Sequence, residues 1–235
     1  MRETREEKRR RAEAVIDRLD AQMPNAKIEL GYQTPLELLV SVILSAQCTD
    51  KRVNIVTPAL FERYRTAQAY ASARPKELES LIKTCGLYRS KAKNIIAAAQ
   101  ALVREHGGVV PVSREELEAL PGVGRKTAGV VTIHLGGDPA FPVDTHIRRL
   151  AHRLGFTRQT DPDKVEWDLQ ALLPSALWAK AHQLLIWHGR RTCFARSPAC
   201  ERCVAADLCP KIGLPKAKRR PALRPARPSG ASSAS

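Results

Sequence analysis

Residues Leu120–Ile147 read LPGVGRKTAGVVTIHLGGDPAFPVDTHI, and no other stretch constrains the chain as strongly. A short helix leads into Pro121-Gly122-Val123-Gly124, a second helix starts at Arg125, and Gly136-Gly137 stops it near Leu135. Glycine admits backbone angles closed to other residues, so Gly122 and Gly124 permit a tight turn. Their lack of side chains also lets a phosphate come close to the backbone. The free N–H groups of Arg125, Lys126 and Thr127 would face that phosphate, and the helix dipole favours its charge. This is the geometry of a helix-hairpin-helix, which grips a DNA backbone. Lys126 sits on the hairpin itself, and Asp144 opens the next helix. A lysine and an aspartate so placed imply chemistry as well as binding.

The surrounding chain predicts an all-α fold. Ala12, Val15, Ile16, Leu19 and Met23 form one helical stripe, which Pro24 closes. Thr34-Pro35-Leu36-Glu37 is a capping box with proline at the first helical position. The helix that follows, to about Ala46, is apolar nearly all round and predicts a buried central element. Asp50 is expected to cap a helix to Tyr64, Pro75 to start one to Thr84, and Ser90 to open one to His106. Ser113-Arg114-Glu115-Glu116 reads as a second capping box, opening the hairpin over about residues 113–135. Asp144 is expected to cap a helix over 145–154, with further helices near 162–173 and 176–188. No alternating strand pattern is visible.

The formal net charge of +15 points to a polyanionic partner. Residues 214–235 hold Lys216, Lys218, Arg219, Arg220, Arg224 and Arg227 with no acid, and they read as a disordered basic tail. No apolar run reaches the ~18 residues of a membrane span, and the charged N-terminus lacks the apolar core of a signal peptide. An intracellular protein of the cytoplasm or nucleoid is expected. In that compartment clustered cysteines imply metal rather than disulfides. Cys193, Cys200, Cys203 and Cys209 follow C-x6-C-x2-C-x5-C. Spacing alone leaves both a [4Fe–4S] cluster and zinc open. Cys48 and Cys85 read as small core hydrophobes.

Together, Leu120–Ala128, Val143-Asp144-Thr145-His146 and the cysteine spacing resemble the endonuclease III family of helix-hairpin-helix DNA glycosylases. Leu44-Ser45-Ala46-Gln47, Thr49-Asp50, Gly86-Leu87-Tyr88 and Ser90-Lys91-Ala92 carry the same resemblance, which spans roughly residues 12–210. It implies two all-α domains flanking a DNA cleft. One is a six-helix barrel over about 28–138; the other joins residues 1–27 to 139–212 and holds one [4Fe–4S] cluster on the four cysteines. It implies a monomeric base-excision-repair enzyme that removes oxidised or saturated pyrimidines, of the thymine glycol type, from duplex DNA and then cleaves the strand. Lys126 would be the nucleophile and Asp144 its partner. Gln47 and Leu87 would fill and wedge the duplex, and Ser45 and Asp50 would lie at the lesion pocket. Gly122, Gly124, Arg125, Thr127, His146, Arg148 and Arg196 would lie along the DNA. A free lysine has a pKa of about 10.4; a buried position at the positive end of a helix would favour the reactive neutral amine.

Two other readings share these features. A monofunctional adenine-type glycosylase has the hairpin, the aspartate and the cysteines but lacks a lysine at position 126. A non-catalytic DNA-binding module would use the hairpin as a clamp and the cysteines for zinc. The chain also departs from the family pattern. Gly129 stands where an asparagine is common, Cys85 where a larger apolar residue is usual, and Arg196 is the lone basic residue between Cys193 and Cys200. These departures bear on lesion preference and rate rather than on reaction class.

Overall fold

The computed structural model describes residues 3–215, so the basic tail from Lys216 onward lies outside the described residues. Among the described residues there are helices and no strands: α1 (Arg5–Gln22), α2 (Pro35–Ser45), α3 (Asp50–Arg63), α4 (Ala67–Ala71), α5 (Pro75–Ile82), α6 (Tyr88–His106), α7 (Arg114–Glu118), α8 (Arg125–Leu135), α9 (Thr145–Arg153), α10 (Pro162–Leu172) and α11 (Trp178–Arg191). None is long and apolar enough to cross a membrane.

Two apolar cores form. The first runs from Leu30 to Val131 and draws on α2–α8. Helix α2 is its axis: Leu38, Leu39, Val40, Ser41, Val42, Ile43 and Leu44 are all buried, as its unbroken apolar character predicts. Helix α6 buries Ala92, Ile95, Ala99 and Leu102 at helical spacing, and α4 packs Tyr70 into the same core. The second core joins Ala12, Val15, Ile16 and Leu19 of α1 to residues between Phe141 and Ala205. The N-terminal helix therefore packs with the C-terminal half of the chain. Each large side chain so buried contributes about 1.5–3 kcal/mol.

Several helix starts differ from expectation. Helix α1 begins at Arg5, because Thr4 and Glu7 form a reciprocal capping box ahead of the apolar stripe. Thr49, not Asp50, caps α3, its hydroxyl accepting from the Arg52 N–H at 3.3 Å. Helix α6 starts at Tyr88, before Ser90. Ser113 makes no side-chain cap; the Asp138 carboxylate accepts from the Arg114 N–H instead, at 2.8 Å. Helix α4 was invisible as a separate element because five residues carry too little periodicity.

Candidate functional site

The chain folds so that Lys126 and Asp144 line one cavity of about 70 Å³, with Ser45, Asp50, His182 and Arg190 among the other walls. Lys126 is the second residue of α8, and Asp144 is the N-cap of α9. The Asp144 Oδ1 accepts from the Ile147 N–H at 2.8 Å, which fixes the carboxylate. Ser45 ends α2 and donates its hydroxyl to the Val42 carbonyl at 2.8 Å. Asp50 pairs with Arg190 at 2.6 Å, and Arg190 also meets Glu29 at 2.5 Å. The arginine therefore joins the start of α3 to the end of α11 across the cavity wall. One expectation is corrected here: Lys126 is exposed, so the protein alone does not desolvate its amine.

The two hairpin glycines serve different ends. Gly122 has φ +76°, and a Cβ there would meet the Asn94 side chain at 2.5 Å, so the fold itself requires glycine. Gly124 has φ −88°, and a Cβ there would meet nothing within 4 Å. The fold itself therefore has room for a side chain at this position. Gly124→Ala should leave the melting temperature within about 2 °C while weakening duplex binding several-fold, since one methyl would hold a phosphate away from the α8 N–H groups. Unchanged binding in a fluorescence-anisotropy titration would contradict this use of the hairpin.

The residues flanking Lys126 do not face outward freely. Arg125 pairs through Nε with Asp163 at 3.1 Å and through Nη2 with Glu166 at 2.9 Å. Arg114 grips the same Glu166 with Nη1 at 2.8 Å and Nη2 at 3.2 Å. Glu166 is 2% exposed. Burial opposes its charge, but the hydrogen bonds and charges of Arg114 and Arg125 outweigh burial and hold its carboxyl below the ordinary range. One buried carboxylate on α10 thus anchors both helices of the hairpin. Arg125, expected along DNA, is an anchor to α10 in this structure. His146 is likewise held in a helix seam: its Nδ1 lies 3.1 Å from Arg149 Nη2, and a Cβ on Gly189 of α11 would meet it at 3.0 Å. Thr127 is half-buried on α8, while Arg148 and Arg196 are exposed.

Gln47 and Leu87 occupy adjacent loops. A Cβ on Gly86 would lie 3.4 Å from the Gln47 carbonyl, and the buried Lys91 ammonium donates to the Leu44 carbonyl at 2.8 Å, tying α6 to the end of α2. Both Gln47 (φ 52°) and Leu87 (φ 57°) adopt left-handed backbone, which costs a non-glycine residue on the order of 1 kcal/mol. Leu87 is also 59% exposed. An apolar side chain held outward on a strained backbone is a poor arrangement for folding and a good one for insertion between bases. Leu87→Gly should raise stability by up to about 1 kcal/mol while slowing lesion processing at least tenfold. Calorimetry and single-turnover cleavage would measure the two, and equal or faster cleavage would remove the wedge role.

The four cysteines follow α11 as free thiols. They surround a pocket lined also by Leu150, Leu154 and Ala206. Among the described residues no three His, Cys, Asp or Glu side chains group as they would around a single metal ion. The thiols ring an apolar space instead of meeting at a point. Arg149 and Arg153 of α9 shape this loop. Arg149 Nη2 donates to the Cys193 carbonyl at 3.0 Å, and Arg153 donates to the Phe194 carbonyl at 2.6 Å and the Ala195 carbonyl at 2.8 Å.

Sequence reasoning missed Glu29, His182, Gln183, Arg190 and Glu166. Each sits in an ordinary amphipathic helix or loop, and only three-dimensional convergence marks it. Burial drives the His182 pKa down to about 3, with the Lys126 charge acting the same way. A histidine buried neutral takes up a proton on unfolding. Its stabilisation is full above the unfolded value near 6.5 and is lost as pH falls from there toward 3. Stability should therefore fall by about 1.4 kcal/mol per pH unit in that window. Denaturant midpoints at pH 7, 6 and 5 would test this, and a flat profile would contradict it.

A hairpin around Gly122-Val123-Gly124 that presents a lysine to a cavity shared with an aspartate defines the helix-hairpin-helix repair class. Residues 40–175 match the HhH-GPD superfamily of base excision DNA repair proteins. Endonuclease III of Synechocystis sp. is 50% identical over 204 residues, 86% of this chain and 93% of that one. Endonuclease III of Haemophilus influenzae is 48% identical over 195 residues, 83% of this chain and 92% of that one. The solved structure of a trapped endonuclease III–DNA covalent intermediate superposes with a TM-score of 0.82 at 44% identity, covering 86% of this chain and 96% of that one. The chain belongs to the endonuclease III family.

Proposed function

We propose that this protein is a bifunctional DNA glycosylase and AP lyase that removes oxidised or saturated pyrimidines, of the thymine glycol type, from duplex DNA. The observation that carries this reading is the meeting of Lys126 and Asp144 at one cavity from two different helices. The damaged nucleotide leaves the stack to reach it. The neutral Lys126 amine attacks C1′; the N–C1′ bond forms as the glycosidic bond breaks, and the base leaves with its electron pair and gains a proton. In the resulting N,O-acetal the C1′–O4′ bond breaks, O4′ takes a proton and a Schiff base remains; loss of a C2′ proton then expels the 3′ phosphate by β-elimination.

Lys126 is exposed in the free protein. Bound DNA would cover the amine where it sits in the first turn of α8. The Asp144 Oδ1 is committed to the α9 cap. Its Oδ2 serves the reaction, accepting the amine proton or offsetting positive charge that develops on the sugar. Gln47 and Leu87 fill and wedge the gap, and Gly122, Gly124 and Thr127 hold phosphate.

The chain divides into a barrel of about 28–138 and a second domain combining residues 1–27 with 139–212, and it acts as a monomer. Four thiols around an apolar pocket suit a [4Fe–4S] cluster better than a single zinc ion. Cys193, Cys200, Cys203 and Cys209 would hold such a cluster and it would close the loop that follows α11, while the bond-breaking steps fall to protein side chains.

A labelled duplex with one thymine glycol tests the reading. Strand cleavage without alkali supports it. Product that appears only after alkali would mean a monofunctional glycosylase, and tight binding with neither product would mean a clamp.

A further inference from the structure

His182, in the cavity wall, takes no part in the bond-breaking steps. His182 is 1% exposed, and no acceptor among the described residues reaches its Nε2. A buried polar atom without a partner costs about 1–3 kcal/mol, so its persistence asks for a reason.

The hydrogen-bond chain behind it fixes which nitrogen carries the proton. His134 Nδ1 lies 2.7 Å from the Val130 carbonyl, so it must donate there. In a neutral ring, His134 Nε2 is then an acceptor, and the Gln183 amide nitrogen 2.8 Å away donates to it. The same amide nitrogen lies 3.3 Å from His182 Nδ1, which takes its second hydrogen. His182 Nδ1 is thus an acceptor, and its single proton resides on Nε2. The chain presets an N–H donor at the wall of the cavity that holds Lys126 and Asp144.

We propose that His182 is a substrate-contacting residue whose Nε2–H donates to a carbonyl oxygen of the everted pyrimidine. Depth selects the base over the sugar. Lys126 is exposed, as a nucleophile for C1′ at the cavity mouth must be, whereas His182 is fully buried. A nucleotide whose C1′ stops at Lys126 sends its base further in. Ring carbonyls survive saturation of the pyrimidine 5,6 bond, so they are the acceptors such lesions share. A neutral donor also adds no second positive charge beside the lysine.

The inference rests on the glycosylase reading, and the test separates the two. His182→Phe should slow single-turnover excision of thymine glycol about 10- to 100-fold, the loss expected for one buried hydrogen bond. Cleavage of a duplex with a preformed abasic site, which has no base to contact, should change less than about threefold. His182→Gln returns an amide N–H near the Nε2 position and should recover most of the excision rate. Equal losses on both duplexes, or no loss on either, would overturn the contact. A wild type inactive on both would overturn the glycosylase reading instead. Independently of activity, ¹⁵N-histidine spectra of the intact protein should show His182 protonated on Nε2; a proton on Nδ1 would refute the relay.

Discussion

Lys126→Ala should reduce strand cleavage of a thymine glycol duplex at least about 10³-fold in single turnover, because no other amine lines the mouth of the cavity with Asp144 in a helix-terminal position. Lys27 also lines the cavity, but it lies on the segment before α2, without a helix N-terminus behind it. The variant should fold normally. Lys126 is exposed, and alanine is the strongest helix former. Its melting temperature should stay within about 2 °C of wild type, and duplex affinity should fall by less than about tenfold, the share of one phosphate-range charge. Retained cleavage would move the nucleophile elsewhere.

Glu166→Gln should be the most destabilising single change outside the apolar cores. The carboxylate is 2% exposed and shared by two guanidinium groups, so neutralising it leaves Arg114 and Arg125 facing an amide. Removing one partner of a buried ion pair costs about 3–5 kcal/mol, which in a chain of this size lowers the melting temperature by roughly 10 °C. Arg114→Ala should cost more than Arg125→Ala, because the Arg114 side chain is 16% exposed and that of Arg125 is 38%. The sign with pH follows from the depressed carboxyl. The stabilisation is present above the ordinary carboxylate value of 4.5 and is lost as pH falls below it. Glu166→Gln should therefore flatten the acid limb of the stability curve below that point. The hairpin would also lose its tether to α10, so lesion cleavage should slow even where the variant remains folded.

The helices and the hairpin were legible because their signals are local. Apolar spacing, Thr34-Pro35 and Gly136-Gly137 each act within a turn or two of chain. Lys126 and Asp144 were legible only as a pattern; they lie in the first turn of α8 and at the N-cap of α9, and both line one cavity. The missed residues share a different property. Glu166, His182 and Arg190 take their meaning from partners 41 to 161 positions away, or within a wall built by several elements. Glu166 in a surface-patterned helix looks like any solvated acid until Arg114 and Arg125 fold onto it. The partners of Arg125 were hidden for the same reason, since a basic residue beside a glycine turn shows no sign of Asp163 and Glu166 until the chain folds. The reverse error concerned Lys126, where chemistry suggested burial and the free protein leaves the amine at the surface. Gly129 shows how a departure from pattern can be structural. A Cβ there would meet the Pro142 ring at 2.9 Å, so the glycine accommodates the segment that leads to Asp144.

The reaction turns on a covalent bond between one lysine and the sugar. Borohydride reduction during turnover on a thymine glycol duplex, followed by proteolysis and mass spectrometry, tests it most directly. One cross-linked peptide is expected, with the deoxyribose remnant on Lys126. An adduct on Lys27 or on the N-terminal amine, or none under conditions where the strand is cut, would contradict it.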